Sequence, residues 1–266
     1  MLRKMKHFFL HHDKTSIEEL KHVLVEELGV KTGDRLIVTS GFASLNSNGY
    51  SPQDVIRLLQ DLVGEQGTLM LPYYPPMNST EWAKKGMVFD MNTTKSGMGI
   101  LTNVFKKMPG VVMSMHPTKA VCVWGKDAEY YAEGHECSTT PFYWDSPYGK
   151  FLKAGSKSLG LGVGNMPMIH TMEDVLSATQ DEYYQKKKYD LELVTQDGSR
   201  INVQTYVHDP SILEKCISGK NFVESISNSP INTQEFGDSF VFILDNNELL
   251  NLCSGEFSRG HTRIRK

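Results

Sequence analysis

His170 and Glu173 stand three residues apart at the start of a predicted helix, so both side chains project from one face. A carboxylate there can fix an imidazole, and a neutral histidine held this way takes a proton from an attacking nucleophile near neutral pH. Taken alone, the same pair also fits a structural or solvated contact, so the rest of the chain has to support it. His116 precedes Pro117 just ahead of an apolar strand, where an ordered imidazole would tie a turn to its neighbours. His135 and Cys137 flank Glu136, a conceivable nucleophile arrangement, but no helix N-terminus or basic neighbour in that stretch would lower a thiol pKa. His11, His12, His135 and Glu136 have no metal-ligand spacing and HExxH is absent, so no metal is expected. Gly160-Leu161-Gly162-Val163-Gly164 falls short of GxGxxG and reads as close-packed strand and turn; Lys186-Lys187-Lys188 reads as a solvated charge run.

These residues need elements to position them. Ser16 with Glu19 forms a capping box, and Ile17, Leu20, Val23, Leu24 and Leu28 repeat at helical spacing until Gly29. Leu36-Ile37-Val38 is a β-branched run ending at Thr39-Ser40-Gly41; Ser51-Pro52 caps a second helix that reaches Gly64; Thr68 to Leu71 is a further strand. Strand, helix, strand is the order of a layered α/β domain. Pro72 to Met98 lacks a period and is expected as a long loop over one edge. Ile100 to Phe105 follows as a helix, with Gly97 and Gly99 leaving amides free as a seat for an anion. Strands are expected at Ala120 to Trp124, Lys157 to Val163 and Ser239 to Leu244, a helix from about His170, and a hairpin around Gln196-Asp197-Gly198-Ser199. The fold expected is α/β, a layered α/β/α arrangement around a mixed sheet with a C-terminal β-hairpin element, in one domain over residues 1–266.

With 28 basic and 31 acidic side chains the net charge is −3, which gives no mark of a nucleic-acid binder. Cys122, Cys137, Cys216 and Cys253 form no CxxC pair, and a reducing cytoplasm is the expected setting. Met1 to His12 is basic, but Phe8-Phe9-Leu10 is far too short for a signal-peptide core, so an N-terminal arm is expected there. No stretch approaches the ~20 apolar residues that cross a bilayer, and no membrane partner is expected.

Several segments taken in order resemble the aminoglycoside 3-N-acetyltransferase family. They are Leu28 to Leu36, Ser96-Gly97-Met98-Gly99-Ile100-Leu101 with Met108-Pro109-Gly110, Ser114-Met115-His116-Pro117-Thr118, then His135, Pro141, Ser146-Pro147, and Leu159 to Gly164 followed by His170 and Glu173. The resemblance implies an acyl-CoA co-substrate, acetyl-CoA or longer, and direct transfer to a small-molecule amine with His170 as base and Glu173 beside it. By the same resemblance Ser40, Gly41 and Phe42 line the pantetheine path, Met98, Gly99, Ser114 and His116 contact the donor, and Asp145 faces the acceptor. Thr39 stands where the family commonly has histidine, and Pro167 where it tends to have threonine. Aminoglycosides are polycations that favour an acidic cleft, whereas this chain is nearly neutral. Tyr73, Tyr74 and Trp82, with Lys84, Lys85 and Lys95, would suit a stacked base and a diphosphate. The expected acceptor is therefore a nucleotide-linked 3-amino sugar. Its alternatives are an aminoglycoside, and a non-catalytic protein that binds CoA or carbohydrate.

Overall fold

The computed structural model describes residues 15–45, 49–176, 180–226 and 231–264. The expected N-terminal arm, with His11 and His12, lies outside the described residues. Both sequence-signalled caps form. Ser16 Oγ accepts from the Glu19 amide at 3.1 Å and the Glu19 carboxylate accepts from the Ser16 amide at 2.6 Å, starting the helix Ile17–His22. Ser51 and Asp54 do the same for the helix Pro52–Val63, whose Val55, Ile56, Leu59 and Val63 form one buried stripe.

The strands are β1 (Arg35–Ser40), β2 (Thr68–Tyr73), β3 (Phe89–Asp90), β4 (Val112–Met113), β5 (Ala120–Gly125), β6 (Lys157–Leu161), β7 (Tyr189–Val194), β8 (Arg200–Thr205), β9 (Asn232–Phe236) and β10 (Ser239–Asp245). Seven of them form a sheet in the order β4-β5-β2-β1-β6-β10-β9. Within it β1 runs parallel to β2 and β6, and the remaining pairs are antiparallel, so the sheet is mixed. Side chains alternate across β1. Leu36 and Val38 face the helices Pro52–Val63 and Ile100–Phe105, while Ile37 faces the helices Pro147–Lys153 and Met168–Val175. Burying each such side chain contributes about 1.5–3 kcal/mol, which is what holds a helical layer on each face of the sheet.

Several boundaries differ from the sequence expectation. The segment from Pro72 to Met98 is not one long loop: β2 continues to Tyr73, Asn78 caps a helix at Ser79–Lys84, and β3 follows. β3 pairs in parallel with β7 and turns the β7–β8 hairpin into a separate three-stranded sheet. The hairpin at the C-terminal edge of the large sheet is instead β9–β10, and β9 and the helix Asn246–Ser258 lacked a recognised signal. β6 stops at Leu161, short of Val163, because Gly162 takes φ +68°, a conformation that costs little only for glycine.

From β1 the chain crosses by the helix Pro52–Val63 on one face to β2, whereas from β6 it enters the helix Met168–Val175 on the other. The carboxyl ends of β1 and β6 therefore diverge, which is where an α/β sheet opens a crevice for ligands.

Candidate active site

The helix Met168–Val175 starts two residues before His170, with Pro167 as an N-cap that supplies no side-chain hydrogen bond. Thr39 Oγ1 donates to the Asn165 carbonyl at 2.8 Å and ties the end of β1 to the segment leading into this helix. His170 Nδ1 lies 2.8 Å from Glu173 Oε2. The Glu173 carboxylate is fully buried and is gripped by Arg263, whose Nε donates to Oε1 at 2.6 Å and Nη2 to Oε2 at 3.0 Å. A carboxylate only accepts, so the short Nδ1 contact places the proton on Nδ1 and leaves a lone pair on Nε2. The 3.4 Å approach of Arg263 Nη2 to Nδ1 then brings two donors together and adds no bond. Burial, and after it the positive charges of Arg263 and Lys119, hold the imidazole well below its ordinary range. The side chain keeps 20% of its surface exposed, so this neutral ring remains reachable.

Aromatic groups fix the ring from its sides. Phe142 lies 5.1 Å and His208 4.4 Å from it between ring centres, and His208 stacks in turn on Tyr184 at 4.6 Å. His208 is 4% exposed, and its Nε2 has no hydrogen-bond partner among the described residues. Lys119 Nζ sits 4.3 Å from the centre of the Tyr74 ring, and burial pushes its ammonium down to about 8. Arg263, His208 and Lys119 had no motif to mark them. Only Lys119, three residues after His116, adjoins a segment that the sequence singled out.

The expected donor residues divide into two sets. Ser40, Gly41 and Phe42 lie at the carboxyl end of β1, where the Gly41 amide donates to Leu161 O at 2.9 Å and Ser40 Oγ is buried without a partner among the described residues. Met98 and Gly99 adjoin them: a Cβ on Gly99 would lie 3.4 Å from Ser40 O, and Gly99 has φ +101°. Ser114 and His116, by contrast, are interior. Ser114 Oγ donates to His135 Nδ1 (2.9 Å) and accepts from the Val121 amide, and the two residues are 1% and 0% exposed. His116 Nδ1 accepts from the amides of Thr118 and Lys119, so Nε2 donates to Thr205 Oγ1 at 3.0 Å. Each polar atom of this pair is engaged inside the protein, away from a donor. His135 is likewise buried, and burial brings it down to about 3.

The expected acceptor residues are also redistributed. Tyr73 and Trp82 are core side chains at 2% and 4% exposure, and the Tyr74 hydroxyl bonds that of Tyr148 at 2.6 Å beneath Lys119. None offers an open face for a nucleobase. Lys85 pairs with Glu81 on the surface, and Asp145 caps its own loop by accepting from the Thr139 amide and hydroxyl. Cys137 is exposed, while burial raises the thiols of Cys122 and Cys253 to about 12. Among the described residues no group of three or more His, Cys, Asp or Glu could hold a metal, and no helix is long and apolar enough to cross a membrane.

Three kinds of comparison bear on this arrangement. The family model for aminoglycoside 3-N-acetyltransferase matches residues 37–257. Aminoglycoside N(3)-acetyltransferase III of Salmonella sp is 26% identical over 223 residues, 77% of this chain and 77% of the relative. Aminoglycoside N(3)-acetyltransferase VIII of Streptomyces fradiae is 27% identical over 165 residues, 56% of this chain and 57% of the relative. In fold, the chain is similar to the sisomicin-bound AAC-VIa enzyme, with a TM-score of 0.76 at 18% identity over 94% of this chain and 100% of that one. It is similar also to AAC-IIIb in its binary complex with CoASH, with a TM-score of 0.73 at 18% identity over 94% and 99% of the two chains. With more than four-fifths of its length matched, the chain belongs to the aminoglycoside 3-N-acetyltransferase family, a family of acyl-CoA-dependent N-acyltransferases.

Proposed function

We propose that this protein acetylates a primary amine of an aminoglycoside by direct transfer from acetyl-CoA, with His170 as the general base. The observation that carries the proposal is the 2.8 Å contact of His170 Nδ1 with the Glu173 carboxylate in a partly exposed ring whose Nε2 has no hydrogen-bond partner among the described residues. As the amine adds to the thioester carbonyl its nitrogen must lose a proton, and Nε2 takes it; the tetrahedral intermediate then expels the CoA thiolate, which the imidazolium can protonate. Glu173 stabilises the imidazolium between these steps. Ser40, Gly41, Phe42, Met98 and Gly99 are proposed to line the donor path at the carboxyl end of β1.

The aminoglycoside reading replaces the nucleotide-linked amino sugar expected from net charge. The relatives reported above are named for aminoglycosides, and AAC-VIa binds sisomicin. The sugar-nucleotide reading depended on stacking by Tyr73, Tyr74 and Trp82, whose rings are packed or covered. Net charge is a weak guide to the acceptor because steering is local and depends on the charges around the cleft rather than on those of the whole chain.

The test is thiol release from acetyl-CoA with sisomicin-type aminoglycosides and nucleotide-linked amino sugars assayed side by side at one ionic strength. The aminoglycosides should show the higher kcat/KM, by about 10²-fold or more, and His170→Ala should lose at least ~10²-fold with CoA binding retained. Equal or better turnover of the nucleotide sugar would reject the acceptor, and near wild-type turnover in His170→Ala would reject the base.

A further inference from the structure

Arg263 lies beyond residue 257, where the family match ends. It is 6% exposed, yet it reaches the interior in a fork-to-fork contact: Nε and Nη2 take both oxygens of Glu173, and Nη1 donates to Ile217 O at 3.2 Å. An ion pair buried this deeply contributes weakly to stability compared with an apolar filling. Its partner, however, is the carboxylate that holds the His170 Nδ1 proton.

We propose that Arg263 is a positioning residue for His170: it locks the Glu173 carboxylate in the orientation that accepts the Nδ1 proton, and its charge keeps the resting ring from being protonated by solvent, so that Nε2 is unprotonated when the amine arrives. The inference rests on His170 being the base. A buried carboxylate left alone with an imidazole favours the imidazolium, whose Nε2 has no lone pair to offer. With the guanidinium in place the carboxylate's charge is offset, while its second lone pair on Oε2 still fixes the ring's tautomer.

The other groups around the ring do not substitute for Arg263. On the same helix, burial raises Asp174 to about 7. His208, which packs against the ring after β8, is held well below the ordinary imidazole range by burial and by the positive charges of Lys119 and Arg263, against the opposing charge of Glu173. Tyr183 and Tyr184 are phenols raised far above neutrality, and Cys216 and Cys253 are raised thiols. Lys119 acts on the ring in the same direction as Arg263 but makes no contact with Glu173 that would orient it.

The experiment combines ring-nitrogen NMR of His170 with pH profiles of kcat/KM for wild type, Arg263→Met and Arg263→Lys, with thermal unfolding and CoA binding as controls. In Arg263→Met the His170 titration and the acid limb of kcat/KM should both move up by about one pH unit or more. Arg263→Lys keeps the charge but loses the fork, so its acid limb should stay in place while the Nδ1-protonated fraction falls and kcat drops about 10-fold at unchanged KM. If Arg263→Met does not fold, the tautomer and the kcat against KM split of Arg263→Lys decide. Wild-type tautomer, titration and pH profile in the folded variants, with activity lost only in proportion to unfolded protein, would overturn the proposal. Because the NMR readout does not depend on turnover, a failure of the base assignment itself would show separately, as full activity in His170→Ala.

Discussion

At the scale of single residues, Glu173 and Asp174 are consecutive carboxyls with opposite treatment. Glu173 meets a guanidinium. Asp174 instead accepts from the Thr140 hydroxyl and, at 2.9 Å, from the Tyr184 hydroxyl, and burial lifts it from the ordinary carboxylate range to about 7. A folded value above the unfolded one means the folded state holds a proton that the unfolded state releases. The stability this contributes is complete below about pH 4 and is lost as the pH rises toward 7. Asp174→Asn keeps an oxygen acceptor and has no proton to lose. Its stability relative to wild type should therefore rise between pH 4 and pH 7, by about 1.4 kcal/mol per pH unit at most. Urea melts of both proteins at pH 5 and pH 8 measure this, and a difference that does not change with pH would refute it. The substitution also bears on the site, since Tyr184 stacks on His208 and His208 on His170.

At the scale of elements, the seating of β6 beside β10 depends on an absent side chain. Gly160 stands opposite Phe242 in the antiparallel register, and a Cβ there would fall 2.0 Å from the Phe242 ring. The same strand delivers the chain to the helix carrying His170, so a shift of β6 moves the base relative to β1. Gly160→Ala should cost about 1–3 kcal/mol from overpacking, and adding Phe242→Leu should recover much of it by making room. Chemical denaturation of the single and double variants checks this. A double variant no more stable than the single would show that the ring contact is not the cause. The caps belong to the same scale: Ser16 and Ser51 were readable as helix starts because a cap requires only neighbours three residues apart.

For the whole molecule, the histidines set the response to acid. His116, His135, His170 and His208 are all held neutral below the ordinary imidazole value, with burial as the leading cause. Their folded values are depressed, so their stabilising contribution is complete above about pH 6.5 and is lost as the pH falls below it, because the unfolded chain takes up protons that the folded one refuses. Each can cost about 1.4 kcal/mol per pH unit. Stability should fall between pH 6.5 and pH 5, the four imidazoles together outweighing the opposite contribution of the single raised carboxyl of Asp174. His116→Gln or His135→Gln, if folded, should make that slope shallower. Denaturant melts at half-unit pH steps give the slope, and a flat profile down to pH 5 would rule the account out.

What the sequence determined by itself was local or periodic. The capped helices, the strand cores at β1, β2, β5, β6 and β10, the Gly198 hairpin and the mixed α/β class all follow from spacings within a dozen residues. The His170 and Glu173 pair was legible for the same reason, since three residues on a helix define one face. The tertiary structure decided the rest. Arg263 meets Glu173 across 90 residues, and Lys119 and His208 come to the site from separate connections, a convergence that no pattern within one segment encodes. Burial was equally non-local. Tyr73 and Trp82 read as exposed aromatics of a loop, yet they are core: Tyr73 ends β2 opposite Ala120 of β5 with Phe89 of β3 against its ring, and Trp82 sits on the helix Ser79–Lys84 in the same apolar cluster, partners that the chain order alone does not show.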